Sequence, residues 1–139
     1  LSEELREELS LLPKGLLHLE AGIQSLREPV LEKSRRMGKL SDALDGLRFL
    51  CALPNMETHA DLIAGLPLYH LHEIFEDVRT LAGYAAGEIQ LESLKLLPGT
   101  EMRRRAEELG TRSVSVNCRQ PANFHACWTD FTTHRHGRH

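Results

Sequence analysis

Apolar residues recur along this chain with two different periods, and the switches between them mark out a run of helices and strands. Leu5, Leu9 and Leu12 are spaced for one helix face behind Ser2, a good capping residue, and Pro13 ends the run. After the turn Pro13-Lys14-Gly15, the segment Leu16-Leu17-His18-Leu19-Glu20 is apolar and of strand length, and residues 22–25 read as a loop. A helix is expected over residues 30–36. A second follows, capped at Ser41, with Leu40, Leu44, Leu47 and Cys51 along one face. Pro54-Asn55 signals a turn.

Residues 58–64 then read as a buried strand closing on Gly65-Leu66-Pro67. Leu71, Ile74, Phe75, Val78 and Leu81 are spaced as the apolar face of an amphipathic helix, which residues 83–87 break. Residues 88–97 are a third strand candidate, ending at Pro98-Gly99-Thr100. A charged helix over residues 101–109 stops at Gly110, as a C-terminal cap would stop it. Alternating helices and strands imply parallel strands joined by right-handed crossovers. The fold class expected is α/β: a partial parallel (β/α) barrel of about three βα units over residues 1–110, with an irregular tail over 111–139.

Sheets of this kind place ligands beyond the carboxyl ends of their strands. Here those ends are Glu20-Ala-Gly-Ile-Gln-Ser, Asp61-Leu-Ile-Ala-Gly-Leu-Pro and Lys95-Leu-Leu-Pro-Gly-Thr. Each carries a glycine where backbone can approach a ligand closely, and the first two set polar groups, Gln24 and Asp61, beside apolar sequence.

Composition changes little in this picture. With 41% hydrophobic and 27% charged residues the chain is ordinary for a globular protein, and its 139 residues fall short of the ~200 a whole α/β barrel needs. Leu1 leads straight into a helix, which adds to the expectation of a fragment whose remaining barrel lies upstream. The net charge of −3 supplies no attraction for nucleic acid or an anionic membrane, and no apolar run approaches the ~20 residues of a bilayer span. A cytoplasmic location is the expectation. Three cysteines, Cys51, Cys118 and Cys127, make no CxxC pair and no even disulfide framework.

Three stretches in order resemble the second half of the barrel in radical S-adenosylmethionine enzymes, above all those with a cobalamin-binding domain ahead of the barrel. They are Leu16-Leu-His-Leu-Glu-Ala-Gly-Ile-Gln-Ser25, Thr58-His-Ala-Asp-Leu-Ile-Ala-Gly-Leu-Pro67 and Glu88-Ile-Gln-Leu-Glu-Ser-Leu-Lys-Leu-Leu-Pro-Gly-Thr100. The resemblance covers roughly residues 1–110. It implies that Gln24, Arg36 twelve positions later, and Asp61 line an S-adenosylmethionine pocket. Arg36 would pair with the methionyl carboxylate, and Gln24 and Asp61 would bond polar parts of the cofactor such as the ribose hydroxyls. Backbone around Lys95 would meet the adenine edge, and Glu20 would face ribose or substrate. These pairings make physical sense, because a guanidinium grips a carboxylate bidentately and a carboxylate accepts from vicinal hydroxyls.

Two departures stand out. Where the family continues after Gly65-Leu66-Pro67 with glycine and an acid or amide, this chain has Leu68-Tyr69. The CxxxCxxC loop that would hold a [4Fe–4S] cluster is absent, so the cluster, like any cobalamin, is expected only in a longer parent protein. The chain alone would then be inactive.

Plainer roles compete at each position. Gln24 could be a loop amide, Asp61 a turn acid and Glu20 a salt-bridge partner, and Arg35 could act in place of Arg36. His70 and His72, two residues apart, share no helix face and make a poor metal pair. Arg103-Arg104-Arg105 sits among glutamates as a solvated face. Cys118, His125, Cys127 and His134 have no standard zinc-finger spacing, and the tail is expected to be disordered or non-native. The rival functional reading is a non-catalytic α/β module that binds a nucleotide-like ligand, or a protein partner at an open sheet edge.

Overall fold

A computed structural model describes residues 1–84 and 87–111. In chain order the elements are α1 (Glu3–Leu11), β1 (His18–Gln24), α2 (Glu28–Lys33), α3 (Leu40–Ala52), β2 (Glu57–Ala64), α4 (Leu71–Ala82), β3 (Glu88–Ser93) and α5 (Glu101–Arg104). The three strands form one all-parallel sheet in the order β1-β2-β3. Each strand lies beside its neighbour in sequence, and each crossover steps in the same direction. Crossovers of one hand that step one way put their helices on one face.

The core has that form. Leu47 of α3 and Leu81 of α4 are both buried in a cluster with Ile23, Ala60 and Leu62, and Ala21, Leu44, Val78 and Ile89 pack around it. Those strand residues all project to the same side of the pleat. Leu47→Ala would cost about 2–5 kcal/mol by opening a cavity there. Val30, Ala64, Leu66, Tyr69 and Ile74 form a second cluster towards the carboxyl ends of the strands. The opposite face of the sheet is polar. His18 and Glu20 of β1, His59 and Asp61 of β2, and Glu88, Gln90 and Glu92 of β3 alternate with the core residues. The register pairs Glu20 with His59 and Asp61 with Gln90.

Several expected boundaries move. Ser2 caps α1 as expected, its hydroxyl accepting from Leu5 N at 3.3 Å. Ser41 is not a cap: α3 begins one residue earlier behind Lys39, and the Ser41 hydroxyl donates to Asp42 instead (3.3 Å). The segment expected as a loop after Glu20 is strand, because β1 runs on to Gln24 through a one-residue bulge. Ala21 pairs with Ala60, but Gln24 rather than Ile23 stands opposite Leu62. Strand β3 ends at Ser93, not at 97, with Leu94 N still donating to Ala64 O at 2.8 Å. Helix α5 stops at Arg104, and turns carry the chain to Gly110, whose φ of 66° ends them.

Helix α4 differs in the face it buries. Leu71 and Phe75, expected in its apolar stripe, are exposed, whereas Asp77 is 1% exposed beside Ile74 and Leu81. The reason lies across the core and is given below. Among the described residues, three that are not glycine hold a left-handed backbone: Gln24 (φ 69°), Arg35 (φ 54°) and Leu68 (φ 67°). Among the described residues, no helix is long and apolar enough to cross a membrane. The zinc reading of Cys118, His125, Cys127 and His134 falls outside the described residues, as does the tail from 112 onward.

Candidate functional site

Strand β2 carries the centre of the site. Alternation sends Thr58, Ala60 and Leu62 toward the helices and His59 and Asp61 to the polar face. His59 and Asp61 are nonetheless 8% and 7% exposed, so neither can rely on water. His59 Nε2 stands 3.6 Å from Asp61 Oδ1 and 3.7 Å from Oε2 of Glu20 on the adjacent strand. These distances are too long for direct hydrogen bonds, and both His59 Nε2 and Asp61 Oδ1 are buried without a partner.

The other nitrogen of His59 is engaged: Nδ1 meets His18 Nε2 at 2.5 Å, and His18 Nδ1 lies 3.4 Å from a Glu57 carboxylate oxygen. With Nδ1 taken up by His18, the nitrogen of His59 that faces the two acids is Nε2.

Burial is the main force pushing the Asp61 carboxyl up, to about 6, with the adjoining Glu20 carboxyl and the charge of Glu92 adding to it and His59 opposing. Glu20 moves the other way: a hydrogen bond from the Asp61 carboxyl holds it below the usual glutamate range. As pH falls, the pair takes up its first proton on Asp61, and solvent-facing Glu20 stays the anion.

A second convergence lies at the carboxyl end of β1. Arg36, just after α2, donates from Nη2 to the Gly22 carbonyl at 2.9 Å. A Cβ added at Gly22 would lie 3.6 Å from that Arg36 nitrogen and 3.8 Å from Gln24 Nε2, so both side chains cover the same residue. The backbone of Gln24 is turned left-handed there, a conformation that costs about 1 kcal/mol for a non-glycine residue. The two arginines lie in different surroundings. Arg35 pairs with Glu101 on α5 at 2.7 Å, and Arg36 is the one at the strand end.

The expected residues therefore fall into two neighbouring groups and one outlier. Glu20 and Asp61 meet across β1 and β2, and Gln24 and Arg36 meet over Gly22. Lys95 lies beyond β3, exposed and paired with Glu92 at 3.2 Å. Among the described residues no hydrogen bond or ion pair joins it to the other four. His59 and His18 were not among the residues expected in a site. Their signal was present in the alternation of Glu57, His59 and Asp61 on one side of a strand whose other side is apolar. His70 and His72, whose rings stack 5.8 Å apart, sit at the start of α4, where His70 N donates to Glu73 (2.9 Å) in a capping arrangement. Arg105 is drawn into pairs with Glu108 and Glu101, as expected of a solvated face.

Near these groups, but serving the fold, is Asp77. Its carboxylate accepts from Leu26 N (2.8 Å), Arg27 Nε (2.9 Å), Tyr69 Oη (2.6 Å) and Ser25 Oγ (3.4 Å). The loop after β1 thus draws an acid into the core from the middle of α4. The phenol of Tyr69 is pushed well above its usual range, first by burial and then by this bond.

No protein-family model matches the chain, and no curated protein matches it.

Proposed function

We propose that this chain forms one side of an S-adenosylmethionine pocket in a radical enzyme with a parallel α/β barrel. The observation that carries the reading is the meeting of Gln24 and Arg36 over Gly22 at a strand's carboxyl end, where parallel sheets hold their ligands. The resemblance pairs these two residues across twelve positions of sequence, and they also share one spot in space. A one-sided βα array is also the arrangement from which such barrels are built. A further support is Leu68, which holds a backbone conformation that favours glycine at the position where the resembled family has glycine.

The residues present fit the cofactor on one count. Arg36 is exposed and gives one N–H to Gly22, so the rest of its fork remains for a carboxylate. Asp61 and Glu20, on the face beside it, offer acceptors for hydroxyl groups. When bound, S-adenosylmethionine supplies a sulfonium whose reductive cleavage starts radical chemistry. This chain's part is to hold and orient it. The residues do not fit a [4Fe–4S] cluster. Cys51, the only cysteine among the described residues, is packed against the core on the helix side of the sheet, its thiol pushed up by burial. The cluster, and any cobalamin, would belong to other parts of the parent protein.

Calorimetric titration of S-adenosylmethionine into the protein that joins this chain to its cluster-bearing half tests the proposal. Arg36→Ala and Asp61→Ala should each weaken binding at least about tenfold, a loss of about 1.4 kcal/mol. Unchanged affinity in both removes the pocket from this chain. Anaerobic reconstitution of the 139-residue chain alone with iron and sulfide should yield no cluster absorbance, and a stoichiometric cluster would refute the division of labour.

A further inference from the structure

The polar face brings together three groups, and buried atoms on two of them have no hydrogen-bond partner. Among the described residues, Glu20, His59 and Asp61 each offer one ligand atom, and all of these atoms lie within 4.8 Å of one another. Two of the three are buried without a hydrogen-bond partner, on side chains nine-tenths buried. His18 takes up His59 Nδ1, so Nε2 is the nitrogen that faces the two carboxyl groups. Two carboxylates and a ring nitrogen aimed at one point repel one another unless a proton or a metal cation sits between them.

From this we infer that Glu20, His59 and Asp61 form a binding site for a divalent transition-metal ion. The spacing suits one. Two ligands each about 2.1 Å from a tetrahedral ion stand about 3.4 Å apart, and His59 Nε2 lies 3.6 Å and 3.7 Å from its two neighbours. The donor set is one imidazole and two carboxylates, which favours zinc or manganese over calcium and magnesium, whose sites are all oxygen, and over copper(I), which prefers thiolates. Glu20, on the edge strand and two-thirds exposed, closes the site from the solvent side. Positions left open there would take water or a substrate oxygen. His18 is a positioning residue: it fixes which nitrogen of His59 faces the ion, as outer partners of metal-bound histidines do.

The site shares Glu20 and Asp61 with the pocket proposed above, but it needs no S-adenosylmethionine, and neither does its test. Cobalt(II), a spectroscopic stand-in for zinc, is titrated into the full chain and followed by its d–d absorbance. One ion per chain is expected, displaced by zinc and not by magnesium. Glu20→Gln, at an exposed position that leaves the fold intact, should weaken binding at least about tenfold, Asp61→Asn more, and His18→Gln about tenfold with stoichiometry kept. Zinc should raise the melting temperature of the parent chain and not that of Asp61→Asn. Affinity unchanged by Glu20→Gln and Asp61→Asn overturns the inference. So does a thiolate charge-transfer band that disappears in Cys118→Ser or Cys127→Ser, which would put the ion on the tail. Absence of binding overturns it as well.

Discussion

Asp77 and Asp61 are both buried acids in a small α/β core, and they are treated in opposite ways. Asp77 receives two backbone or guanidinium N–H groups and two hydroxyls, and its pairing with Arg27 neutralises it. Every one of those donors comes from the loop after β1 or the loop before α4, so the acid ties two connections to one helix. Asp61 has a second acid and an imidazole nitrogen for company, and its Oδ1 has no hydrogen-bond partner. The first arrangement stabilises the fold whatever the protein does. The second is a cost to the metal-free protein, and ionisable groups held at a cost are where chemistry or binding is to be sought.

That contrast can be broken by mutation. The largest effect is expected at Asp77→Ala, which strands Arg27, the Tyr69 hydroxyl and the Leu26 amide inside the core. Urea denaturation should show a loss of about 3–5 kcal/mol, enough to abolish cooperative unfolding in a small domain. If Asp61→Ala costs as much as Asp77→Ala, the two acids are alike and the distinction fails. Tyr69→Phe removes one of the donors to Asp77 and should cost about 1–2 kcal/mol in the same measurement.

At Asp61 the sign reverses. Its folded-state pKa, about 6, lies above the ordinary 3.8, so the folded chain holds this proton more tightly than the unfolded chain. That contribution is fully present below about pH 4 and is lost as pH rises through 6. Metal-free protein should therefore gain stability between pH 7 and pH 5. Glu20, shifted the opposite way, titrates below this window. Asp61→Asn should flatten the slope and stabilise the chain at pH 7 by on the order of 1 kcal/mol. A wild-type slope of the opposite sign over this range would show that Asp61 is not the proton holder. The smallest effect belongs to Leu68→Gly, which relieves a left-handed residue and should stabilise by a few tenths to about 1 kcal/mol, less whatever the freer unfolded chain recovers.

Much of the layout was legible in the residues because period and burial agree. The helix over Leu44, Leu47 and Cys51 and the strand over residues 58–64 formed as their spacing implied. What escaped were features decided by partners far away in sequence. Phe75 matched the apolar spacing of α4 as well as Ile74 did, yet Asp77 holds the inward place because the Leu26 amide and Arg27 wait for it some fifty residues upstream. The loop expected after Glu20 became strand because β2 was there to pair with it, and no local signal announces a bulge. In the candidate site, Gln24, Arg36, Glu20 and Asp61 could be named from their resemblance to a motif. His59 could not, since that motif gives it no role and its environment appears only once β1 and β2 are side by side.

The left-handed turn at Leu68 has one more consequence. Its neighbours hold it in place: Tyr69 N donates to Leu66 O at 3.1 Å, and the Tyr69 ring is tethered to Asp77. The side chain of Leu68 itself is half exposed and absent from the core clusters. At this position anchors on either side set the path of the chain, and the path restricts the residue only through its left-handed backbone, not through packing of the side chain. A substitution there can alter what the loop offers to a ligand or a neighbouring chain without redirecting it. Position 68 is accordingly a place where the surface of the loop can change while the architecture around it stays still.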